Sequence, residues 1–365
     1  MRSNDYKREL AKKREKDLHE SRNYAVKSRG LYANPLPSTR AGAFYNAFSY
    51  PTKISPESIA LFIASHTNPG DTVLDVFAGS GATGVAARLC DAPTESMIRQ
   101  AEKLGLEVKW GPRNAVLYEI SVIGSLLASV MCNPPDPKEF CESAKRVLKE
   151  SEADFAWLYE ASDPAGEPGA IRYIIWSEVL VCPNCGERTT YWDAAVRLDP
   201  AAIDADYECP HCNSVNHTAS CRRVTQATAC GSPGDCREQR LRVPVRVYGQ
   251  TGSVKWQREA NLTDSKLIEA VEASEIDDWY PSQNINWGDL HRRGYHQGIG
   301  RFCDFYTRRN LMAFARLWRG IESQPSHLRD ALRVWALSFN ASHSTLMTRV
   351  VAKTGQTDLV QTGAQ

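Results

Sequence analysis

Residues Val73–Gly84 read VLDVFAGSGATG, an apolar stretch that passes an aspartate and runs into a glycine-rich turn. Thr72–Phe77 predicts a short strand, Ala78–Gly84 a turn, and Gly84–Leu89 the start of a helix. Glycines in such a turn let a bound molecule approach the backbone, and the unpaired N–H groups at the start of the helix face that molecule. This order of elements therefore predicts a cofactor-binding loop.

A second strand and a second helix follow along the chain. Ala115–Ile120 reads as a strand and Val122–Met131 as a helix. This β–loop–α–β order implies parallel strands joined by crossover helices. Asp75 can hold an ammonium group, Phe77 can cover an adenine ring, and Glu119 is placed for hydrogen bonds from ribose hydroxyls. The residues by themselves leave nicotinamide or flavin cofactors open.

The residues before the loop extend the pattern. Tyr50–Glu57 reads YPTKISPE, and Asn68–Gly84 reads NPGDTVLDVFAGSGATG. Joined, they resemble motifs X and I of DNA methyltransferases that methylate the exocyclic amine of adenine or cytosine, often close to HPTQKP and PGD.VLDPF.GSG.TG. Tyr50 stands where that family often has His, and Val76 where it often has Pro.

The resemblance implies S-adenosyl-L-methionine as cofactor, a Rossmann-like core, and DNA as substrate, as in restriction–modification enzymes. The residues that it places at the cofactor are Lys53, Pro56, Asp75, Phe77, Ala78, Gly79, Gly81 and Glu119. A broader resemblance, over residues 30–365, is to long bacterial and archaeal DNA methylases with a cysteine-rich insertion. The biological role is left open among restriction, defence and regulation.

Amino-directed methyltransferases need a [DNS]PP[YFW] loop that binds the target amine and stacks on the flipped base. The Pro-Pro pair of this chain lies in Asn133-Pro134-Pro135-Asp136. Asp136 cannot stack, and too few residues separate the pair from Glu119 for a further strand with its crossover helices. Asn133, Pro134 and Pro135 are therefore weak catalytic candidates, and a helix-ending loop is the favoured interpretation.

The chain is accordingly interpreted as an S-adenosylmethionine-dependent DNA methyltransferase or its cofactor-binding portion, with a second polypeptide as a possible source of the missing loop. One alternative is a non-catalytic DNA-binding or specificity subunit of a split methylase. An RNA or protein methyltransferase is a further alternative.

Two CxxC pairs predict a structural zinc site. Each pair forms a tight turn that presents two thiolates, and two such turns complete a tetrahedral Zn²⁺ site. Four thiolates close the coordination sphere, so the metal holds structure instead of doing chemistry. The predicted ligands are Cys182, Cys185, Cys209 and Cys212, and a partial second site at Cys221, Cys230 and Cys236 stays open.

The formal net charge of +1 does not by itself indicate a nucleic-acid-binding protein. The segment Trp287–Arg319, however, interleaves arginines with aromatic residues, a pattern that suits phosphate binding and base stacking. The alternative is an amphipathic helix with aromatic residues such as Phe314 and Trp318 in the core. The candidate DNA contacts are Arg292, Arg293, Arg308 and Arg309.

The sequence shows no secretory signal and no apolar stretch of membrane-spanning length, so a cytoplasmic location is expected, where thiols stay reduced. The predicted fold is α/β: a Rossmann-like methyltransferase core with an inserted zinc ribbon and a mainly helical C-terminal region. The predicted domains are a charged helical arm at 1–30, a cofactor-binding region at 31–175, a zinc ribbon at 176–250 and a mainly helical region at 251–365.

Overall fold

The computed structural model describes residues 12, 31–32, 42–51, 53–229, 236–286, 299–343, 345–346, 349–351 and 360–362. The chain divides into two compact units. The first consists of Met1–Phe140 and Ser326–Ser338, and the second of Cys141–Pro325 and Phe339–Gln365. Apart from residue 12, the predicted arm lies outside the described residues.

The first unit contains a pair of parallel strands and the helices around it. Its elements up to Cys132 are α1 (Ala43–Ala47), α2 (Pro56–His66), β1 (Thr72–Asp75), α3 (Ala82–Leu89), α4 (Glu95–Lys103), β2 (Asn114–Leu117) and α5 (Val122–Cys132). β1 and β2 pair in parallel, with Thr72 opposite Asn114 and Asp75 opposite Leu117. The predicted order of strand, loop, helix, strand and helix is confirmed, and α4 lies in the stretch between α3 and β2 where the sequence analysis predicts no element.

Helix α2 begins with a serine and a proline. Ser55 occupies the N-cap and Pro56 the first helical position, where the missing N–H of proline loses no hydrogen bond. Small apolar residues of α2 pack against α3 and α4 in a buried cluster that comprises Ala60, Ile63, Ala64, Ala86, Ala87, Cys90 and Met97. Val73 of β1 packs on this cluster, which places the helices on one face of the parallel pair.

The second unit is built around an antiparallel sheet. Helix α6 (Pro137–Phe155) contains the boundary between the units, and a 3-10 turn (Ala156–Tyr159) follows it. The next elements are β3 (Glu160–Ser162), β4 (Pro168–Val181), β5 (Arg188–Thr190), α7 (Tyr191–Ala195), β6 (Val196–Leu198), β7 (Ala201–Ile203), β8 (Asp206–Glu208), β9 (Val215–His217), β10 (Arg222–Arg223), β11 (Thr225–Ala229), β12 (Cys236–Arg240), β13 (Arg242–Thr251) and β14 (Val254–Glu259). The remaining elements are α8 (Leu262–Ala273), a 3-10 turn (Phe302–Phe305), α9 (Arg308–Glu322), α10 (Ser326–His343), whose first part belongs to the first unit, β15 (Arg349–Val351) and β16 (Val360–Thr362).

The order of the main sheet is β10-β4-β13-β14, with β3 and β5 also paired to β4. The sequence analysis predicts a cofactor-binding region that ends at residue 175, within β4. All strand partners of β4 among the described residues belong to the second unit, and they pair with it in antiparallel fashion. Residues 168–175 therefore belong to the antiparallel sheet of the second unit, in the strand that leads into Cys182.

Within the described ranges, β1 and β2 are the only parallel pair of strands. The mixture of helices and strands fits the predicted α/β class, whereas the Rossmann sheet as a whole is not confirmed. None of the helices that the structure describes has the length and apolar character needed to cross a membrane.

Candidate functional site

Asp75 closes β1 and organises the turn that follows it. One of its carboxylate oxygens accepts a hydrogen bond from the backbone amide of Phe77 at 3.0 Å, and the other accepts one from the Thr83 hydroxyl at 2.6 Å. The carboxylate therefore ties the end of the strand to the first turn of α3. The sequence analysis does not name Thr83 as a site residue. Its position in the GATG stretch of the turn is the feature that could have indicated it.

Glu119 joins the same turn from the second strand. One of its oxygens accepts a hydrogen bond from the backbone amide of Gly79 at 2.7 Å, and the other accepts one from that of Ser121 at 2.8 Å. The structure thus brings Asp75, the glycine turn and Glu119 together at the carboxyl ends of β1 and β2. Each carboxylate oxygen carries a second lone pair, so Glu119 can still accept hydrogen bonds from a diol.

The glycines of the turn make room mainly for other parts of the protein. Gly81 begins α3 with φ +85°, and a Cβ there would lie 2.7 Å from the Cα of Ala128. A Cβ at Gly84 would lie 2.4 Å from the Cys132 sulfur. Gly81 and Gly84 therefore allow α3 to pack closely on α5, a packing role that the sequence analysis does not predict.

Tyr50 forms a wall beside the turn. A Cβ added at Gly79 would lie 3.1 Å from the Tyr50 ring, and one added at Gly124 would lie 3.0 Å from the Tyr50 hydroxyl. The side chain therefore reaches from the glycine turn to the start of α5, close to Glu119. Tyr50 and Gly124 are distant in sequence from the glycine turn, and the fold brings them close to it.

Lys53, which the family resemblance places near the cofactor, has its ammonium group engaged with the backbone. It donates hydrogen bonds to the carbonyl oxygens of Phe44, Tyr45 and Phe48 and lies 4.2 Å from the centre of the Phe44 ring. Burial lowers the pKa of Lys53. These contacts hold the segment that carries Tyr50. Pro56 is buried at the start of α2.

Phe77 is 86% exposed, so its ring is free to cover a flat ligand. A cavity of about 390 Å³ lies farther along α3 and α5, lined by residues that include Gly84, Glu119 and Asn133. Neither Asp75 nor Gly79 lines this cavity. Of the predicted cofactor residues, Glu119 therefore lines the cavity, and Phe77 lies exposed beyond the end of β1.

The Asn133–Asp136 stretch connects two helices. Asn133 is the C-cap of α5, and Asp136 accepts hydrogen bonds from the amides of Lys138 and Glu139 in the first turn of α6. Helix α5 has 11 residues, so Asn133 lies about 16 Å along its axis from the end near Glu119. These positions favour the helix-ending loop over a catalytic role for Asn133, Pro134 and Pro135.

The two CxxC turns of the second unit have matching geometry. In the first, the amide of Gly186 donates to the Cys182 carbonyl at 3.0 Å, and in the second, that of Asn213 donates to the Cys209 carbonyl at 2.9 Å. Gly186 and Asn213 occupy equivalent positions and both have positive φ, 78° and 57°. The shared backbone bend turns both cysteines of each pair to one side.

The four sulfurs converge to the dimensions of a tetrahedral metal centre. The sulfur atoms of Cys182, Cys185, Cys209 and Cys212 lie within 4.8 Å of one another. The Cys182–Cys212 and Cys185–Cys209 sulfur pairs are both 3.8 Å apart. A tetrahedron with Zn–S bonds of about 2.3 Å has edges of about 3.8 Å, so the donor set fits zinc.

Hydrogen bonds favour the thiolate form of Cys182 and Cys212. The backbone amide of Cys185 is the main cause that lowers the pKa of Cys182 to about 5, and the Ser214 hydroxyl is the main cause that lowers the pKa of Cys212 to about 7. Asn184 and Asn216 donate to the sulfurs of Cys212 and Cys182 at 3.4 and 3.6 Å. Donors of this kind orient metal ligands and stabilise their charge.

The described residues provide no set of ligands for the second metal site around Cys221. Cys221 is buried, and its sulfur lies 3.6 Å from the Tyr207 hydroxyl and 3.6 Å from the His217 carbonyl oxygen. Cys230 lies outside the described residues, and so does the side chain of Cys236. Within the described ranges, the four-cysteine group is the only one with metal-binding geometry.

The candidate DNA contacts separate into two groups. Arg308 donates to the Ser274 carbonyl oxygen at 2.9 Å, and Arg309 is 7% exposed and lies 5.7 Å from the centre of the Tyr159 ring. Burial lowers the pKa of Arg309. These contacts favour the packing alternative for Arg309, whereas Arg292 and Arg293 lie outside the described residues.

Comparison with known proteins gives a match for one portion of the chain. Residues 3–93 match the model of a family described as DNA methylase, and this match covers about a quarter of the chain. The matched stretch contains Lys53, Asp75 and the glycine turn, whereas Glu119 and the cysteines lie outside it. No curated protein and no solved structure matches the chain.

Proposed function

We propose, from the match of residues 3–93 to the model of a family described as DNA methylase, that this chain binds S-adenosyl-L-methionine for methylation of an exocyclic amine in DNA. The observation that carries the proposal is the meeting of Asp75, Gly79 and Glu119 at the carboxyl ends of β1 and β2. Ligands of open α/β sheets bind at this end of the strands.

Each group at the strand ends has a separate task in this proposal. Glu119 accepts hydrogen bonds from the ribose hydroxyls, and the exposed Phe77 ring covers the adenine. Asp75 holds the turn in shape through Phe77 and Thr83 and supplies negative charge for the ammonium group of the cofactor. Bound S-adenosyl-L-methionine supplies an activated methyl group.

The other parts of the chain serve DNA in this proposal. The four-cysteine group holds a structural zinc that stiffens the second unit. Arg308 remains a candidate phosphate contact together with Arg292 and Arg293. The fold that surrounds the β1–β2 pair is proposed to be Rossmann-like.

A second candidate function is a cofactor-binding subunit whose acceptor loop comes from a second polypeptide. The specific observation that favours it is the position of Asn133 at the far end of α5 from Glu119. No other Pro-Pro pair occurs in the sequence. Under this candidate the chain by itself binds the methyl donor and DNA but does not transfer the methyl group.

Calorimetric titration with S-adenosyl-L-methionine tests the cofactor proposal. The wild-type chain is expected to bind, whereas Asp75→Asn and Glu119→Gln each weaken binding roughly 10- to 150-fold, the equivalent of one hydrogen bond to a charged group at about 1.5–3 kcal/mol. Asp91→Asn, an exposed aspartate just beyond α3, is the matched control and leaves binding unchanged. Absence of binding by the wild-type chain would overturn the proposal.

A methyl-transfer assay separates the two candidate functions. Tritiated methyl transfer to DNA is measured with the chain alone and with the product of the neighbouring reading frame. Transfer by the chain alone supports a complete enzyme and contradicts the assignment of Asn133–Asp136 as a mere helix connection. Transfer only with the second product supports the subunit.

A further inference from the structure

The four residues of the cysteine group differ in their access to solvent. Cys182 and Cys209 are each 1% exposed and belong to one buried cluster of the second unit. Cys212 is half-buried, whereas Cys185 is exposed. A small molecule in solution therefore reaches Cys185 with less obstruction than the other three cysteines.

The sulfurs also differ in the hydrogen-bond donors around them. When the sulfurs are thiolates, the Ser214 hydroxyl donates to Cys182 at 3.6 Å and to Cys212 at 3.2 Å. The Asn216 amide donates to the Cys182 sulfur at 3.6 Å. The Asn184 amide donates to the Cys212 sulfur at 3.4 Å. Each of these two sulfurs thus accepts hydrogen bonds from two side chains.

The sulfurs of Cys185 and Cys209 have less support. They lie 3.8 Å from each other, and in the part of the chain that the structure describes no side-chain hydroxyl or amide donates to either of them. Cys185 does accept a hydrogen bond from the backbone amide of Glu187. The donors are therefore concentrated on one half of the cysteine group.

This asymmetry affects how readily each sulfur reacts. A hydrogen bond to a thiolate draws on the lone pairs of the sulfur and weakens its attack on an electrophile. Exposure and thiolate character decide which cysteine is oxidised or alkylated. Among the four ligands, Cys185 alone combines exposure with the lack of a side-chain donor.

We propose that Cys185 is an oxidation site of the zinc-loaded chain, that peroxides react with it first, and that it then forms a disulfide with Cys209. This inference rests on the zinc of the proposed function and not on its methyl donor. Zn²⁺ keeps its oxidation state, so the oxidation takes place at sulfur.

The two sulfurs together lose two electrons to one molecule of hydrogen peroxide. The Cys185 thiolate forms an S–O bond to one peroxide oxygen as the O–O bond breaks, which gives a sulfenic acid and hydroxide. The Cys209 thiolate, 3.8 Å away, then forms the S–S bond and expels a second hydroxide. Both hydroxides take protons from the solvent and become water.

The disulfide removes two of the four thiolates that would hold the metal. The two that remain, Cys182 and Cys212, lie 3.8 Å apart and no longer complete a tetrahedral site. The affinity for zinc therefore falls, and the metal no longer ties the two CxxC turns together. Peroxide thus acts on the second unit through one exposed sulfur.

Pulsed alkylation of the zinc-loaded full chain with N-ethylmaleimide tests which sulfur reacts first. The reagent is added below one equivalent, and mass spectrometry of singly modified chains gives a rate for each cysteine. Cys185 is expected to react about tenfold faster than Cys182, Cys209 or Cys212. The exposed Cys141 of α6 is the reference thiol outside the group. Equal rates at the four ligands, or a faster rate at one of the other three, would overturn the proposal.

Treatment with hydrogen peroxide tests the disulfide. Zinc release is followed with a chromogenic chelator, and disulfides are mapped in the same samples. About one zinc is expected to leave for each Cys185–Cys209 disulfide. Zinc release without this disulfide, or zinc retained while other cysteines are oxidised, would overturn the proposal. An untreated chain that holds no zinc would overturn the zinc of the proposed function as well, so the two failures are distinguishable.

Ser214→Ala separates hydrogen bonding from exposure, because it removes a donor and keeps all four thiolates. Cys212 is expected to react about three- to tenfold faster in this variant, while the rate of Cys185 stays unchanged. Ser220→Ala is the matched control, since the Ser220 hydroxyl donates to the His217 carbonyl oxygen at 2.7 Å. An unchanged Cys212 rate would overturn the proposal, and so would an equal rise at all four sulfurs, which would show that Ser214 only holds the fold.

Discussion

Removal of one thiolate from the four-cysteine group is a direct test of how the second unit is held together. Cys182→Ser replaces a sulfur that is 1% exposed and that lies 3.8 Å from the Cys212 sulfur. A serine hydroxyl does not ionise near neutral pH and is a poor zinc ligand. The variant therefore leaves three thiolates around the metal.

The expected loss of zinc affinity is obtained by sharing the zinc-binding free energy among the four ligands. Structural zinc binds short cysteine-containing peptides with an apparent free energy of about 10–16 kcal/mol at pH 7. Divided equally among four thiolates, this is about 2.5–4 kcal/mol per ligand, or roughly a 100- to 1,000-fold rise in the zinc dissociation constant. The thermal midpoint of the second unit is expected to fall with the loss of metal.

Metal analysis and chelator competition on the purified chain measure this effect. The wild type is expected to hold about one zinc per chain. Cys185→Ser, at an exposed ligand, is expected to lose zinc with less damage to packing, which keeps the test valid where Cys182→Ser fails to fold. Cys141→Ser, an exposed cysteine of α6, is the matched control. A wild-type chain without zinc, or a Cys185→Ser chain with wild-type affinity, would refute the reasoning.

Two other predictions concern stability. Gly84→Ala places a Cβ 2.4 Å from the Cys132 sulfur, so urea unfolding is expected to show a loss of about 1–3 kcal/mol, partly recovered when Cys132→Ala is added. An unchanged unfolding midpoint in Gly84→Ala would contradict the close packing of α3 on α5. Burial raises the pKa of Tyr159 from 10 to about 12, so the unfolded chain ionises first and stability falls as pH rises from 10 to 12, by about 3 kcal/mol from this group. Tyr159→Phe is expected to lose that part of the pH dependence, and an identical slope in the variant would show that another group is responsible.

Several elements could be predicted from local sequence because local physics determines them. Pro56 suits the first position of α2 through its fixed φ. The CxxC spacing fixes two tight turns, and the glycine turn after β1 follows from an apolar run that ends in GSG. Such features depend on a few consecutive residues.

Other features depend on residues that are distant in sequence. The contact of Tyr50 with Gly79, the bonds from the Lys53 ammonium group to three carbonyl oxygens, and the burial of Arg309 beneath Tyr159 all arise from packing. The sequence does not show whether a lysine or an arginine contacts a ligand or the backbone. The pairing of β4 with β13 is a further example, since an alternating strand pattern does not reveal which strand is its neighbour.

The sequence by itself determined that a strand, a glycine turn and a helix follow one another, and that two pairs of cysteines form tight turns. Both conclusions rest on spacing, which backbone geometry converts directly into local shape. Only the tertiary structure decided that Glu119 closes onto the amide of Gly79, that the four sulfurs meet at zinc dimensions, and that Cys185 is the exposed residue among the four. These facts require long-range pairing and packing, because burial and contacts between distant residues are properties of the assembled fold and not of any single strand.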